Sequence, residues 1–114
     1  MSKLFDGLQA IAAQDVDGLL KAEKSYGDSW RKRGGVGAFM MLARKWDRLE
    51  NQVRKHDYDV FTAIQTDLRP EGIIDDIRDL RRYLLLVEEY TCKHVGQVQK
   101  EEGGADRNYV NQDR

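Results

Sequence analysis

A single proline, Pro70, stands in this chain of 114 residues. Proline interrupts a helix because it has no backbone N–H and its ring clashes with the preceding turn. A chain with one proline can therefore hold long, uninterrupted helices. Apolar residues recur at intervals of three and four on both sides of Pro70, which is the spacing of one helix face. We predict an all-α protein, a bundle of three long helices and one short helix.

Four segments carry this spacing. Leu4, Leu8 and Ile11 share a face in the first segment, and Phe39 and Leu49 lie on the apolar face of the second. Glycines and cations separate these two segments, whereas the third must end before Pro70 because the residue before a proline disfavours helix. The predicted helices cover about residues 3–25, about 36–56, a short stretch within 57–70, and 71–98.

Charge and composition exclude several classes of protein. With 19 Lys and Arg against 20 Asp and Glu, the chain lacks the basic excess that duplex DNA binding needs. The sequence has no stretch of about 18 apolar residues, the length needed to span a membrane. The acidic residue Asp6 near the N-terminus does not fit the pattern of a secretory signal peptide. Lone Cys92 permits no internal disulfide, and we expect it to be a small buried apolar residue. We expect a cytoplasmic protein without a duplex nucleic acid or a membrane as partner.

A run of apolar residues, Tyr83 to Val87, surrounds the last predicted helix on all sides. A helix that is apolar all round is buried on more than one side, and a three-helix monomer cannot cover that surface. We therefore expect a homodimer or homotetramer that assembles through residues 83–90. Residues 1–100 are predicted to form one helical domain, and the polar residues 101–114 a mobile tail.

Acidic side chains lie close to the predicted apolar faces of three helices. They are Glu23 on the first helix, Asp47 and Glu50 on the second, and Asp76 and Asp79 on the last. Asp75, by contrast, faces away with Arg82 as a solvated charge. An unpaired carboxylate near a core costs several kcal/mol.

Two arrangements would tolerate these acids. In the first, they form ion pairs with cations, for which the candidates are Lys45, Arg48, Arg54 and Arg81. In the second, they surround Mg²⁺, which binds a few carboxylates together with water and substrate phosphate; Mn²⁺ is an alternative ion. The convergence of three helices favours the metal.

The connection between the first two helices is a candidate phosphate-binding segment. Arg31, Lys32 and Arg33 precede a glycine cluster and a helix start, where free N–H groups favour anions. The segment lacks the Lys-Ser/Thr ending of a P-loop, and a solvated connection is the alternative. Tyr26 and Trp30 could stack on a base or anchor an interface.

Lys45 and Arg48 lie beside the acids of the second helix. They could bind phosphates or form ion pairs with Asp47. Trp46 belongs to the apolar face of the same helix and is predicted to be core.

Two motifs resemble known families. Asp47-Arg48-Leu49-Glu50, followed after 25 residues by Asp76-Ile77-Arg78-Asp79, resembles the ExxE and ExxD pattern of the all-α NTP pyrophosphohydrolases, the MazG-like enzymes. Two of the four acids are Asp where that family favours Glu. A second resemblance is closer and covers about residues 20–90: the chain is similar to the phage-associated nucleotide-modification domain. The similar segments are Lys24 to Trp30, Arg44 to Glu50 and Asp76 to Tyr83.

The resemblance implies Mg²⁺-dependent hydrolysis of a nucleoside or deoxynucleoside triphosphate to its monophosphate and pyrophosphate, in phage or bacterial nucleotide metabolism. On this hypothesis the metal ligands are Asp47, Glu50, Asp76 and Asp79, and the general base is Glu50 or Glu23. The substrate-binding residues are Tyr26, Trp30, Arg31, Lys32, Arg33, Lys45, Arg48 and Tyr83. Two alternatives stay open: a protein of this fold that binds nucleotides without turnover, and a helical assembly protein whose acids only keep it soluble.

Overall fold

The computed structural model describes residues 2–95, and within them every regular element is helical. The elements are α1 (Lys3–Tyr26), a 3-10 turn (Ser29–Arg31), α2 (Gly34–Arg54), α3 (Val60–Thr66), α4 (Ile73–Tyr90) and a π-helical segment (Thr91–Val95). This part of the chain contains no strand, so the all-α prediction with three long helices and one short helix is confirmed.

A serine side chain and a glycine set the two ends of α1. The Ser2 hydroxyl accepts a hydrogen bond from the backbone N–H of Phe5 at 3.0 Å, which caps α1. Gly27 ends α1 with a φ of 60°, a conformation that favours glycine. The predicted break between the helices contains a 3-10 turn, in which Arg31 donates to the carboxylate of Asp28 at 2.7 Å.

The connection to α3 turns sharply at Asp57 and Tyr58, whose φ values are 56° and 65°. Asp59 then caps α3, because its Oδ1 accepts from the N–H groups of Phe61 and Thr62 at 3.1 and 3.2 Å. These hydrogen bonds lower the pKa of Asp59, and the bond from the Thr62 N–H makes the largest contribution to this shift.

The last long helix begins two residues later than predicted, at Ile73 rather than residue 71. Asp67 Oδ2 accepts from the N–H of Ile73 at 2.6 Å, and Asp75 Oδ2 accepts from that of Gly72 at 3.0 Å. These carboxylates satisfy N–H groups that the first helical turn leaves free. Pro70 and Glu71 therefore precede the helix instead of forming its first turn.

The apolar core lies where α2, α3 and α4 meet. It consists of buried Val53, Ala63 and Ile73, with Leu49, Val60, Ile64 and Ile77 packed against them. Trp46 was predicted to be core and is 53% exposed, so that prediction is wrong. The reason is that the core forms around the last turns of α2, beyond the position of Trp46.

The chain divides after Tyr83 into two units. The first contains the core, and the second begins with exposed Leu84 and Leu85. Cys92 is exposed, so its predicted burial, which rested on the general tendency of free cysteines to be buried, is wrong. It lies in the π-helical segment that follows α4. Residues 96–98 of the last predicted helix and the predicted tail, 101–114, lie outside the described residues, and the single-domain assignment stays a prediction.

None of the helices in residues 2–95 combines the length and the apolar character needed to cross a bilayer.

Candidate functional site

A cavity of about 350 Å³ opens between α2 and the start of α4. Its lining residues are Arg48, Pro70, Glu71, Asp75, Asp76 and Asp79. We call it the acidic cavity, because four carboxylates and one guanidinium group line it. Two of the predicted metal ligands, Asp76 and Asp79, and one predicted phosphate-binding residue, Arg48, thus meet in one place.

Asp76 is the buried centre of the acidic cavity, with 1% of its side chain exposed. Arg48 Nε lies 3.0 Å from Asp76 Oδ1, and Arg69 Nη2 lies 3.8 Å from Oδ2. Neither oxygen receives a hydrogen bond of acceptable geometry from the residues that the structure describes. Buried carboxylate oxygens normally accept hydrogen bonds. The charge of Asp76 is therefore compensated, although neither of its buried oxygens accepts a hydrogen bond from the described part of the chain.

Lys45 and Asp79 form a second ion pair across the same two helices. Lys45 Nζ lies 2.9 Å from Asp79 Oδ2, and 42% of the Asp79 side chain is exposed. Lys45 and Arg48 are one turn apart on α2, as Asp79 and Asp76 are on α4. The pairing therefore requires the two helices to run antiparallel.

Asp75 also lines the acidic cavity, together with Asp76 and Asp79, so its predicted orientation away from the other acids is wrong. It accepts a hydrogen bond from Arg78, one turn along α4, and this bond is the main cause of its lowered pKa. The position of Asp75 is explained by its bond to Gly72, which draws the side chain back over the helix start.

Arg69 is held beside the cavity by Asp67. Its Nε and Nη2 donate to the two oxygens of Asp67 at 2.9 and 3.1 Å. The guanidinium group keeps the pKa of Asp67 well below its usual range, with help from the Ile73 N–H. The same contact raises the pKa of Arg69, so this cation stays charged near Asp76.

The remaining predicted acids lie elsewhere. Asp47 and Glu23 are exposed and Glu50 is half-buried, and none of them lines the acidic cavity. At about 100° per residue, Asp47 points roughly 100° away from Arg48, and Glu50 roughly 160° away from it. Because the face of α2 that meets α4 carries Lys45 and Arg48, the second helix contributes cations to the cavity.

A second cavity, of about 410 Å³, lies at the connection between α1 and α2. Its lining residues are Tyr26, Asp28, Ser29, Arg31 and Lys32, and we call it the loop cavity. Three predicted substrate-binding residues, Tyr26, Arg31 and Lys32, thus line one surface. Trp30, Arg33 and Tyr83 line neither of the two cavities.

A buried ion cluster between α1 and α4 involves an acid that the sequence analysis missed. The carboxylate of Asp15, on α1, accepts hydrogen bonds from both Arg81 and Arg82, on α4. The helical spacing could have identified Asp15, because this residue follows Ile11 by four positions and continues the face of Leu4 and Leu8. For Glu71, Asp28 and Ser29 no comparable spacing pointed to a cavity.

No three His, Cys, Asp or Glu side chains within residues 2–95 form a group that could enclose a metal ion. The acidic cavity is nevertheless suited to Mg²⁺, which binds proteins through one or two carboxylates and takes its other ligands from water and substrate phosphates. The buried oxygens of Asp76, which lack hydrogen bonds, and the nearby carboxylate of Asp79 match that requirement.

Comparison of the chain with protein-family models, with curated proteins and with solved structures finds no match. The resemblance to the MazG-like enzymes therefore rests on the motifs in the sequence and stays a prediction.

Proposed function

We propose that this protein is a Mg²⁺-dependent nucleoside triphosphate pyrophosphohydrolase, with its active site at the acidic cavity. The observation that supports the proposal most is the carboxylate of Asp76, which is buried, lacks a hydrogen bond and faces a cavity beside Asp79 and Arg48. A structural ion pair would be expected to satisfy its acceptors with hydrogen bonds. The proposed setting is the cytoplasm of a bacterium or of a phage-infected host cell.

In this proposal each side chain of the acidic cavity has a role. Asp76 and Asp79 hold Mg²⁺, while Arg48 and Lys45 bind phosphate oxygens of the substrate. Bound Mg²⁺ would polarise the scissile phosphate and lower the pKa of a water for attack. Mn²⁺ can replace Mg²⁺, since both ions favour oxygen ligands.

Other parts of the site are proposed from their residue types. Tyr26, Arg31 and Lys32 in the loop cavity are proposed to bind the base end of the substrate, and Trp30, Arg33 and Tyr83 to complete the substrate-binding set. Glu50, Glu23 and Asp47 do not line the acidic cavity, so the proposal gives them no role at the metal.

The test is incubation with a panel of nucleoside and deoxynucleoside triphosphates and Mg²⁺, followed by chromatography. We expect monophosphate and pyrophosphate in a one-to-one ratio with at least one nucleotide. Asp79→Asn should reduce the rate, whereas Asp6→Asn, the same change at an exposed acid of α1, should not. If no nucleotide is cleaved, or if diphosphate appears instead, the proposal is wrong.

We also propose that the chain assembles as a homodimer or homotetramer through residues 83–90. This assembly is supported by Leu84 and Leu85, two adjacent residues of the apolar run that are both exposed. Exposed apolar patches mark association surfaces. Replacing both Leu85 and Leu86 with Glu should reduce the mass in solution to that of one chain. An unchanged mass would rule out this interface.

A helical assembly protein is the second candidate, and one observation favours it. On α1 the large apolar residues Leu4, Leu8 and Ile11 are all exposed, as expected for a helix whose apolar face binds another chain. The nucleotide panel separates the candidates. A nucleotide that raises the melting temperature without being cleaved would indicate the third possibility, a protein that binds nucleotides without turnover.

A further inference from the structure

We infer that Lys45 and Arg48 couple the binding of the metal to the binding of the polyphosphate, so that each ligand binds tightly only together with the other. The inference deepens the proposed function and rests on it. It concerns how the acidic cavity selects a metal–polyphosphate complex over the free ion.

Both acids that would hold the metal are already paired with cations from α2. Lys45 Nζ lies 2.9 Å from Asp79 Oδ2, and Arg48 Nε lies 3.0 Å from Asp76 Oδ1. A divalent ion at these carboxylates would stand within a few ångströms of two positive charges, and like charges at that distance repel strongly. Binding of the metal alone is therefore opposed by Lys45 and Arg48.

These two cations can exchange the acids for another anion, since neither belongs to the apolar core. Arg48 approaches Asp76 without forming a proper hydrogen bond, and 37% of its side chain is exposed. Asp79 is 42% exposed, so its contact with Lys45 is open to water and correspondingly weak. A rotation of either long side chain would turn its charge into the cavity that Arg48 and Asp79 line.

A polyphosphate gives the released cations a new partner. Guanidinium and ammonium groups bind phosphate oxygens through charge-assisted hydrogen bonds, and the guanidinium group does so with two bonds at once. When Lys45 and Arg48 turn to phosphate, Asp79 and the Oδ1 of Asp76 become available to the metal, while Arg69 remains 3.8 Å from Asp76 Oδ2. The two binding events then favour each other, and thermodynamic linkage makes the effect reciprocal.

The test measures binding, not turnover. The probes are Mn²⁺ alone, followed by the loss of the EPR signal of the free ion, and the preformed Mn²⁺–pyrophosphate complex, followed by calorimetry. The wild type should bind the complex at least about tenfold more tightly than Mn²⁺ alone, within the usual range of coupling between sites.

The decisive variants are Lys45→Met and Arg48→Met. Each should bind Mn²⁺ alone more tightly than the wild type, by about tenfold, and the complex more weakly, by about tenfold. This opposite movement of two affinities is not expected from a general loss of structure. Arg54→Met is the matched control, because it removes the same charge from α2 but its guanidinium group bonds to Asn51; both affinities should stay unchanged.

Arg48→Met leaves a buried carboxylate with one fewer cation, which can prevent folding. Lys45→Met is then decisive, since Asp79 is half-exposed and tolerates the loss. If the variants bind Mn²⁺ no better than the wild type while the wild type binds the complex, the proposed coupling is wrong. The acidic cavity then remains the proposed active site. If the wild type binds neither probe, both the coupling and the proposed active site are wrong.

Discussion

Asp15 and Arg81 form a two-point ion pair although 66 positions separate them in the chain. Arg81 Nη2 lies 2.8 Å from Asp15 Oδ1, and Arg81 Nε donates to Oδ2. Arg82 adds a bond from Nε to Oδ1 at 2.9 Å and donates to the backbone oxygen of Gln14 at 3.0 Å. With 2% of the Asp15 side chain exposed, these bonds connect α1 to α4 around a buried carboxylate.

The first prediction is acid sensitivity from Asp15. The bond from Arg81 is the largest cause of a pKa lowered from 3.8 to about 2. A carboxyl group with a lowered pKa stabilises the fold above its ordinary pKa and loses that contribution as the pH falls through the lowered value. We expect a loss on the order of 2 kcal/mol in the free energy of unfolding between about pH 4 and pH 2.

Denaturant unfolding of the wild type and of Asp15→Asn at several pH values measures this loss. Asp15→Asn should be less stable by a similar amount near neutral pH, and the difference should shrink toward pH 2. Asp17→Asn, two residues along α1 and exposed, should match the wild type throughout. Equal stability of Asp15→Asn and the wild type at pH 7 would contradict the prediction.

The second prediction compares two glycines of α1. Alanine favours a helix interior over glycine by up to about 1 kcal/mol. At Gly7 an added Cβ meets no atom within 4 Å, so Gly7→Ala should raise the melting temperature. At Gly18 the same Cβ would lie 2.6 Å from Arg82 Cζ and 2.9 Å from Arg82 Nη2. Arg82 must then move and give up its bonds to Asp15 and Gln14.

We therefore expect Gly18→Ala to be no more stable than the wild type, or less stable, while Gly7→Ala gains. Thermal unfolding followed by circular dichroism measures both. In an Asp15→Asn background, where the bonds to Arg82 are already weakened, the penalty at Gly18 should become smaller. A gain at Gly18 equal to that at Gly7 would show that Arg82 makes no important contact there.

The third prediction concerns the start of α4. Gly72 lies against Asp67, and an added Cβ would be 3.1 Å from Asp67 Cγ and 3.5 Å from the backbone oxygen of Arg69. Asp67 cannot move away freely, because it accepts bonds from the Ile73 N–H and from Arg69. Gly72→Ala should lower the melting temperature and speed hydrogen exchange at the Ile73 amide.

Gly35→Ala is the control for that change, since Gly35 lies in the first turn of α2 and its added Cβ would meet no atom within 4 Å. It should leave exchange at Ile73 unchanged. If Gly72→Ala also leaves that exchange rate unchanged, the cap does not depend on the position of Asp67.

The fourth prediction tests the exclusion of Glu50 from the proposed reaction, since Glu50 does not line the acidic cavity. Glu50→Gln keeps the shape and removes one negative charge, so the rate should stay close to that of the wild type, whereas the loss of a general base or a metal ligand would lower it at least about 100-fold. The melting temperature without metal should also stay level, because Glu50 is only half-buried. Steady-state rates and thermal unfolding measure the two effects.

Asp79→Asn, the corresponding change at a residue that lines the acidic cavity, is the control and should lower the rate. A marked fall in the melting temperature of Glu50→Gln would indicate that Glu50 belongs to a structural ion pair. A rate that falls at least about 100-fold in Glu50→Gln would contradict the prediction and return Glu50 to the catalytic set.

Helix extents could be read from the sequence because the forces that set them are local. The single proline, the glycines before α2 and the periodic apolar residues act within about four positions of one another. The start of α4 was misplaced by two residues, since Asp67 caps it from six positions away. Burial was harder to predict, and Trp46 was misassigned because periodicity identifies a face without indicating which part of it is covered.

The periodicity of apolar residues was enough to predict a helical protein with acids close to its apolar faces. Which of the charged side chains meet depends on the packing of the helices. Arg48 faces Asp76 and Lys45 faces Asp79 because α2 and α4 pack antiparallel at one register, and a shift of that register would pair other residues. Such distances depend on how the helices pack, since no local force connects residues that lie 28 or more positions apart in the chain.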